Sequence, residues 1–121
     1  MDASLIKRRR VKEEGLRIVN FFSTGKTQHL FRAIISSMFY VYVIQSHKTK
    51  DLYFGITSDF DKRLESHNQG KNQSTKFGVP WEFVYIESYR SEKDARVRER
   101  KLKHYGNART YVKRRIKNSL L

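Results

Sequence analysis

The chain reads as an α+β domain, a three-stranded, mostly antiparallel sheet flanked by helices in the order β-β-α-β-α-α. Three observations predict it. First, FYVYVIQ (Phe39–Gln45), LYFGI (Leu52–Ile56) and WEFVYIESY (Trp81–Tyr89) have the length and the β-branched and aromatic content of strands. Second, only SHKTKD separates the first two, a spacing that suits an antiparallel hairpin. Third, Ser58–Asp61 and Ser91–Asp94 each have the spacing of a capping box, so helices begin after the second and third strands.

Each element follows from its residues. FYVYVIQ carries large side chains at every position, as a strand covered on both faces does. The helix after Ser58 should run to about Asn68 and stop before Gly70. Along it Phe60, Leu64 and His67 form one stripe with Arg63 beside it. KNQSTKFGVP is a polar loop with the only proline. In the third strand Trp81, Phe83 and Tyr85 alternate against Glu82, Val84 and Ile86. A helix over about Glu92–His104 stops at Gly106, and a last basic helix covers roughly Ala108–Lys117 with Tyr111, Val112 and Ile116 as its apolar side.

Residues 1–37 differ from the rest and read as a poorly packed basic extension, with the folded domain over 38–121. KRRRVKEEGLRIVNFF could form a short helix interrupted by Gly15, and STGKTQH is a polar link. Its GKT is not a phosphate-binding loop, because the glycine that pattern requires five positions before Gly25 is Asn20. Met38 stands directly before the first clear strand and is read as an alternative start of the native chain. Peptides from before Met38 in mass spectrometry of the native protein would refute that reading.

Lys+Arg 26 against Asp+Glu 12 gives a net charge of +14, a field that attracts polyanions. From Arg90 to Lys117 twelve Lys or Arg face three acids, Glu92, Asp94 and Glu99. Fifteen aromatic residues (Trp 1, Tyr 7, Phe 8) are too many for a disordered chain. With no cysteine, disulfides, zinc fingers and thiol catalysis are excluded, which fits a reducing cytoplasm. No apolar run approaches the ~18–20 residues that span a bilayer, so no membrane is expected. The expected partner is nucleic acid. Lys62, Lys71, Lys76, Arg96, Arg100, Lys103, Arg109 and Arg114 are candidate phosphate contacts, and no motif points to a particular protein partner.

Three features do not suit a plain surface. Glu99 shares a helix stripe with Ala95 and Leu102 amid Arg96, Arg98, Arg100, Lys101 and Lys103. It is either an intrahelical partner of Lys103 or a ligand for a hard divalent cation, which one carboxylate plus waters and phosphate oxygens can hold. Arg63 and His67 share a face, where a guanidinium fork suits phosphate and an imidazole can move protons. Tyr42 and Tyr53 lie on the paired strands. If both face the first helix, their hydroxyls converge near Arg63.

In this order the residues resemble the GIY-YIG nuclease superfamily, in particular its small stand-alone bacterial members. Tyr40-Val41-Tyr42 stands at the first motif and Tyr53-Phe54-Gly55 at the second. Arg63 and His67 match the arginine and histidine of the next helix, and Glu99 within ARVRERKLK matches the acid. The resemblance covers about Met38 to Leu121. Tyr40 and Val41 replace the usual glycine and isoleucine, while Tyr42 is kept. Asn107 is the candidate for an asparagine that contributes in some relatives.

The resemblance implies DNA phosphodiester hydrolysis, in repair, recombination or processing, with a single Mg²⁺ or Mn²⁺ held by Glu99. It implies Arg63 on the phosphate, Tyr42 or Tyr53 as the base for water, and His67 as relay. The protein would then be cytoplasmic and nucleoid-associated. The alternative is a nucleic-acid-binding module without catalysis, RNA- or ribosome-associated.

Overall fold

The computed structural model describes residues 26–121. The chain divides into two compact units, Met1–Ser36 and Ser37–Leu121. In the first, α1 spans Lys26–Ser36. This corrects the sequence reading, which left Lys26–His29 in a polar link. No glycine or proline interrupts the stretch from Lys26 to Ser36, so nothing in it opposes a helix. The short helix expected within residues 7–22 lies outside the described residues.

The second unit is the α+β domain. Its strands are β1 (Phe39–Ser46), β2 (Leu52–Thr57) and β3 (Trp81–Tyr89), and both strand pairings are antiparallel. Their order in the sheet is β2-β1-β3. The central position of β1 explains its unbroken apolar run, for Tyr40 to Ser46 are all buried. The hairpin register sets Tyr42 opposite Gly55 and Ile44 opposite Tyr53.

Alternation along β1 divides the core in two. Val41 and Val43, with Phe54 of β2, pack against Ala95 and Leu102 of α3 (Glu92–His104) and Val112 of α4 (Gly106–Arg115). Tyr42, Ile44 and Trp81 form the other cluster, joined by Tyr53, Phe83 and Leu64 of α2 (Phe60–Asn68). Full burial of side chains such as Ile44 and Leu102 contributes about 1.5–3 kcal/mol each. The simple alternation expected for β3 fails. A register shift at Val43/Ile44 pairs Val43 with Tyr85 but Ile44 with Phe83. The extra residue, Val84, turns Tyr85 to the α3 side while Trp81 and Phe83 stay with Tyr42.

The helix ends bring two further corrections. The cap of α2 is Asp59, not Ser58, and its carboxylate accepts from the Lys62 amide at 3.1 Å. Thr57 accounts for the shift by one residue. Its hydroxyl donates to the Asp59 carbonyl and accepts from the Asp59 amide, fixing Asp59 in the capping position. Gly106 does not end α3 but opens α4, so α4 starts two residues earlier than Ala108 and ends at Arg115. Tyr105, extended at φ −116° and ψ 110°, serves as both C-cap of α3 and N-cap of α4. The Ser91 cap of α3 and the end of α2 stand as expected, and Gly70 follows with φ +73°.

Candidate active site

Two strands and one helix bring four of the expected residues into contact. The Tyr42 hydroxyl sits 2.8 Å from His67 Nε2, and Arg63 Nε donates to the same hydroxyl at 3.1 Å. Tyr53 packs on both: its ring centroid lies 6.4 Å from that of Tyr42 and 5.1 Å from that of His67. Arg63 also interacts with the Tyr53 hydroxyl. The helical spacing of four that places Arg63 and His67 on one face thus aims both at the tyrosine of β1.

Gly55 is required for this arrangement. It faces Tyr42 across the hairpin, and a Cβ there would overlap the Tyr42 hydroxyl and ring. The glycine of the second triplet is the space that the tyrosine of the first one fills.

On the far side of His67, Nδ1 lies 2.8 Å from the Thr75 hydroxyl, which in turn has the Asn72 carbonyl at 3.5 Å. The tautomer follows from satisfying every group. Tyr42 is fully buried and its oxygen already accepts from Arg63, so its proton needs an acceptor, and His67 Nε2 is the one in reach. The Nδ1 proton then goes to Thr75. A single directed chain results, from Arg63 through Tyr42 and His67 to Thr75.

The electrostatics keep this chain in its resting protonation state. Burial, reinforced by the Arg63 charge, lowers the His67 pKa to about 4, so the imidazole is neutral near pH 7. Burial raises Tyr42 above the ordinary phenol value. The Arg63 hydrogen bond and charge oppose that rise, and the charges of Tyr53 and Glu99 add to it. The Tyr42 hydrogen bond raises Arg63 further still and keeps it cationic.

Glu99 lies on α3. Its field reaches the Tyr42 hydroxyl, and its carboxylate is paired with Lys103 Nζ at 2.9 Å. That ammonium also stands 5.6 Å from the centroid of the Tyr53 ring. Among the described residues no group of three or more His, Asp or Glu could hold a metal. A lone carboxylate that already attracts one cation fits Mg²⁺ or Mn²⁺, which keep most of their ligands as waters and phosphate oxygens. It does not fit a closed protein cage.

The candidate phosphate contacts separate into two groups. Lys62, Lys71, Lys76, Arg100 and Arg114 are exposed. Arg96 is exposed but paired with Glu92 at 2.7 Å, Lys103 is the partner of Glu99, and Arg109 donates to the carbonyls of Leu102 and Lys103. Asn107 is exposed on the first turn of α4. Sequence reasoning missed Thr75, which lies in a segment legible only as polar loop. The signal was indirect, in that a buried histidine eight residues upstream needs a partner for each ring nitrogen.

Fold and cluster together define a small α+β domain with a tyrosine–arginine–histidine site beside a lone carboxylate. The GIY-YIG catalytic domain profile matches residues 38–117, and the chain belongs to that family of the nuclease superfamily. A UPF0213 protein of Staphylococcus epidermidis is 36% identical over 67 residues, covering 54% of this chain and 80% of the relative. One of Streptococcus pyogenes is 39% identical over 57 residues, 46% of this chain and 61% of the relative. The solution NMR structure of a UPF0213 protein from Bacillus halodurans is 27% identical, with a TM-score of 0.40 over 61% of this chain and 79% of that one.

Proposed function

We propose that the protein is a metal-dependent endonuclease that hydrolyses DNA phosphodiester bonds. The observation that carries the reading is the directed hydrogen-bond chain Arg63–Tyr42–His67–Thr75 with Glu99 close enough to act on its phenol. A structural network would not need a buried phenol held between a guanidinium and a neutral imidazole. A hydrolase does, because water must lose a proton as it attacks phosphorus.

Glu99 would hold the divalent cation, which when bound would supply positive charge to offset the charge developing in the reaction. Arg63 binds a non-bridging phosphate oxygen and offsets the charge that builds there. Water attacks phosphorus, the bond to the leaving oxygen breaks, and that oxygen takes a proton from solvent. The proton of the attacking water passes to a tyrosine oxygen. Tyr42 has the prepared outlet, since its own proton already points at His67 Nε2. Tyr42 is fully buried, so the half-buried Tyr53 beside it is the tyrosine whose oxygen has direct access to water. Because the Glu99 charge helps keep Tyr42 protonated, neutralising that carboxylate favours transfer. Thr75 holds the ring of His67 so that Nε2 receives.

The test is incubation with labelled duplex, branched and single-stranded DNA in Mg²⁺ or Mn²⁺, beside Glu99→Ala. Cleavage by the wild type alone is the expected result. Binding without cleavage by both proteins would identify a module that has lost catalysis. Equal cleavage by both would overturn the site assignment.

A further inference from the structure

A groove of about 840 Å³, within the range of small-ligand sites, opens beside the candidate site. Tyr53 lines it at one end. Phe77 lines it elsewhere, with Lys50, Arg109 and Lys113 set against the single carboxylate of Asp51. We propose that this groove binds an unpaired nucleotide by stacking its base on Phe77, so that the preferred substrate contains a single-stranded segment. The inference rests on the nucleic-acid reading above and deepens it.

Phe77 is 77% exposed, more than any other large apolar side chain among the described residues. That exposure is imposed by its neighbours. Phe77 belongs to a single 3₁₀ turn, Lys76–Gly78. Thr75, before the turn, is buried, with its hydroxyl on His67 and its carbonyl accepting from Trp81 Nε1 at 2.8 Å. Gly78, after Phe77, is buried too. Its carbonyl accepts from the Ser46 hydroxyl at 2.5 Å, and a Cβ there would collide with the Trp81 ring. With the backbone pinned inward on both sides, the ring between them projects to solvent.

An exposed aromatic ring on an anchored turn, amid cations, is the chemistry that binds single strands. Bases stack on the ring and cations follow the phosphates. Lys76 Nζ stands over one face of the Phe77 ring, 4.9 Å from its centroid, which leaves the opposite face for a base and sets a cation next to it for the adjoining phosphate. In a duplex each base face is covered by its neighbour except at the two ends, so a long blunt duplex offers almost none. The turn also connects stacking to chemistry, because Thr75, two residues from Phe77, holds His67, and Tyr53 belongs to both groove and site.

The experiment measures binding by the full chain in EDTA, so cleavage plays no part. The probes are a single strand, a duplex with a short unpaired tail carrying 2-aminopurine, and a blunt duplex. The expected result is tighter binding of the single strand and the tailed duplex, with quenching of the 2-aminopurine. Phe77→Ala weakens those two by about 5- to 150-fold, the equivalent of ~1–3 kcal/mol per stacked base, and abolishes the quenching. It leaves the blunt duplex unchanged, and Phe77→Tyr restores the quenching. Equal binding of all three probes, or a Phe77→Ala effect that is absent or the same for all, overturns the stacking site alone. Failure to bind any probe at low salt overturns the nucleic-acid reading with it.

Discussion

Gly55→Ala adds one methyl group and should disable the site from a position that touches no substrate. The added Cβ meets the Tyr42 hydroxyl and ring, with Cε1 at 2.8 Å. Neither side can yield easily. Gly55 is paired directly with Tyr42 in the β1–β2 ladder, and Tyr42 is fully buried between the rings of Tyr53, His67 and Phe83. Overpacking of this kind costs ~1–3 kcal/mol. If the phenol retreats, the bonds to Arg63 and His67 go as well, at ~0.5–1.5 kcal/mol each. A total near 3 kcal/mol lowers Tm by roughly 12–24 °C, at about 4–8 °C per kcal/mol for a domain of this size. Thermal unfolding followed by circular dichroism reads that loss. Cleavage should fall by at least ~10²-fold at a temperature where the variant is folded, because the relay is displaced. Tyr42→Phe is the control, losing the hydroxyl and the cleavage but less Tm, since the ring still fills its space. A Gly55→Ala variant with wild-type Tm and full cleavage would refute the claim that the two triplets interlock.

Glu99→Gln should abolish metal-dependent cleavage yet cost only ~0.3–0.5 kcal/mol of stability, the worth of a helical i,i+4 pair, so loss of activity with an unchanged urea midpoint is expected. His67 predicts a pH dependence. With a folded pKa of about 4 below an unfolded value near 6.5, the unfolded chain takes up a proton that the folded one refuses. Stability is complete above pH ~6.5, falls towards pH ~4 by up to about 3 kcal/mol, and levels off below. Urea unfolding across that range should show a shallower fall for His67→Gln, and equal slopes would contradict the buried neutral imidazole. Glu87 acts in a lower window. Burial alone would raise its pKa, but the Arg98 bond and charge and the hydroxyls of Tyr85 and Tyr89 hold it below the ordinary carboxylate value. Its contribution is present above the unfolded carboxylate value and is lost as pH falls through the depressed one. Glu87→Ala should cost ~1–3 kcal/mol at pH 7, read as a lower urea midpoint, by leaving three donors without their acceptor.

The strands and most helix positions were legible because their signals are local. β1 shows its central place in an unbroken apolar run, and the Ser91 cap stands where its spacing puts it. The misses are tertiary or depend on a neighbour. Asp59 rather than Ser58 caps α2 because Thr57 fixes the residue after next, and spacing alone does not distinguish them. Gly106 could have ended one helix or begun the next, and the extended backbone at Tyr105 decides it. The bulge that turns Tyr85 away from Phe83 leaves no mark in WEFVYIESY. In the candidate site, Arg63, His67 and the two tyrosines followed from face and pairing. Thr75 did not, because loop geometry carries it to the histidine.

The sheet topology gives Tyr53 a position that no other residue of the site has. α2 packs with the Tyr42 side of the sheet, and α3 covers the Val41 side, so the strand array stands between the proton relay and Glu99. The two can meet only where the array ends. β2 is that edge, and Tyr53 lies on it, with His67 5.1 Å from its ring on one account and the Lys103 ammonium 5.6 Å from it on the other. Lys103 in turn holds Glu99. An edge strand also leaves its outer side open, and there the groove begins, with Tyr53 in its wall. A second triplet on a central strand would have been buried on both faces, with no route for a phosphate between relay and carboxylate. On the proposed nuclease reading, the edge position of β2 is what would let residues from opposite faces of one small sheet address a single bond.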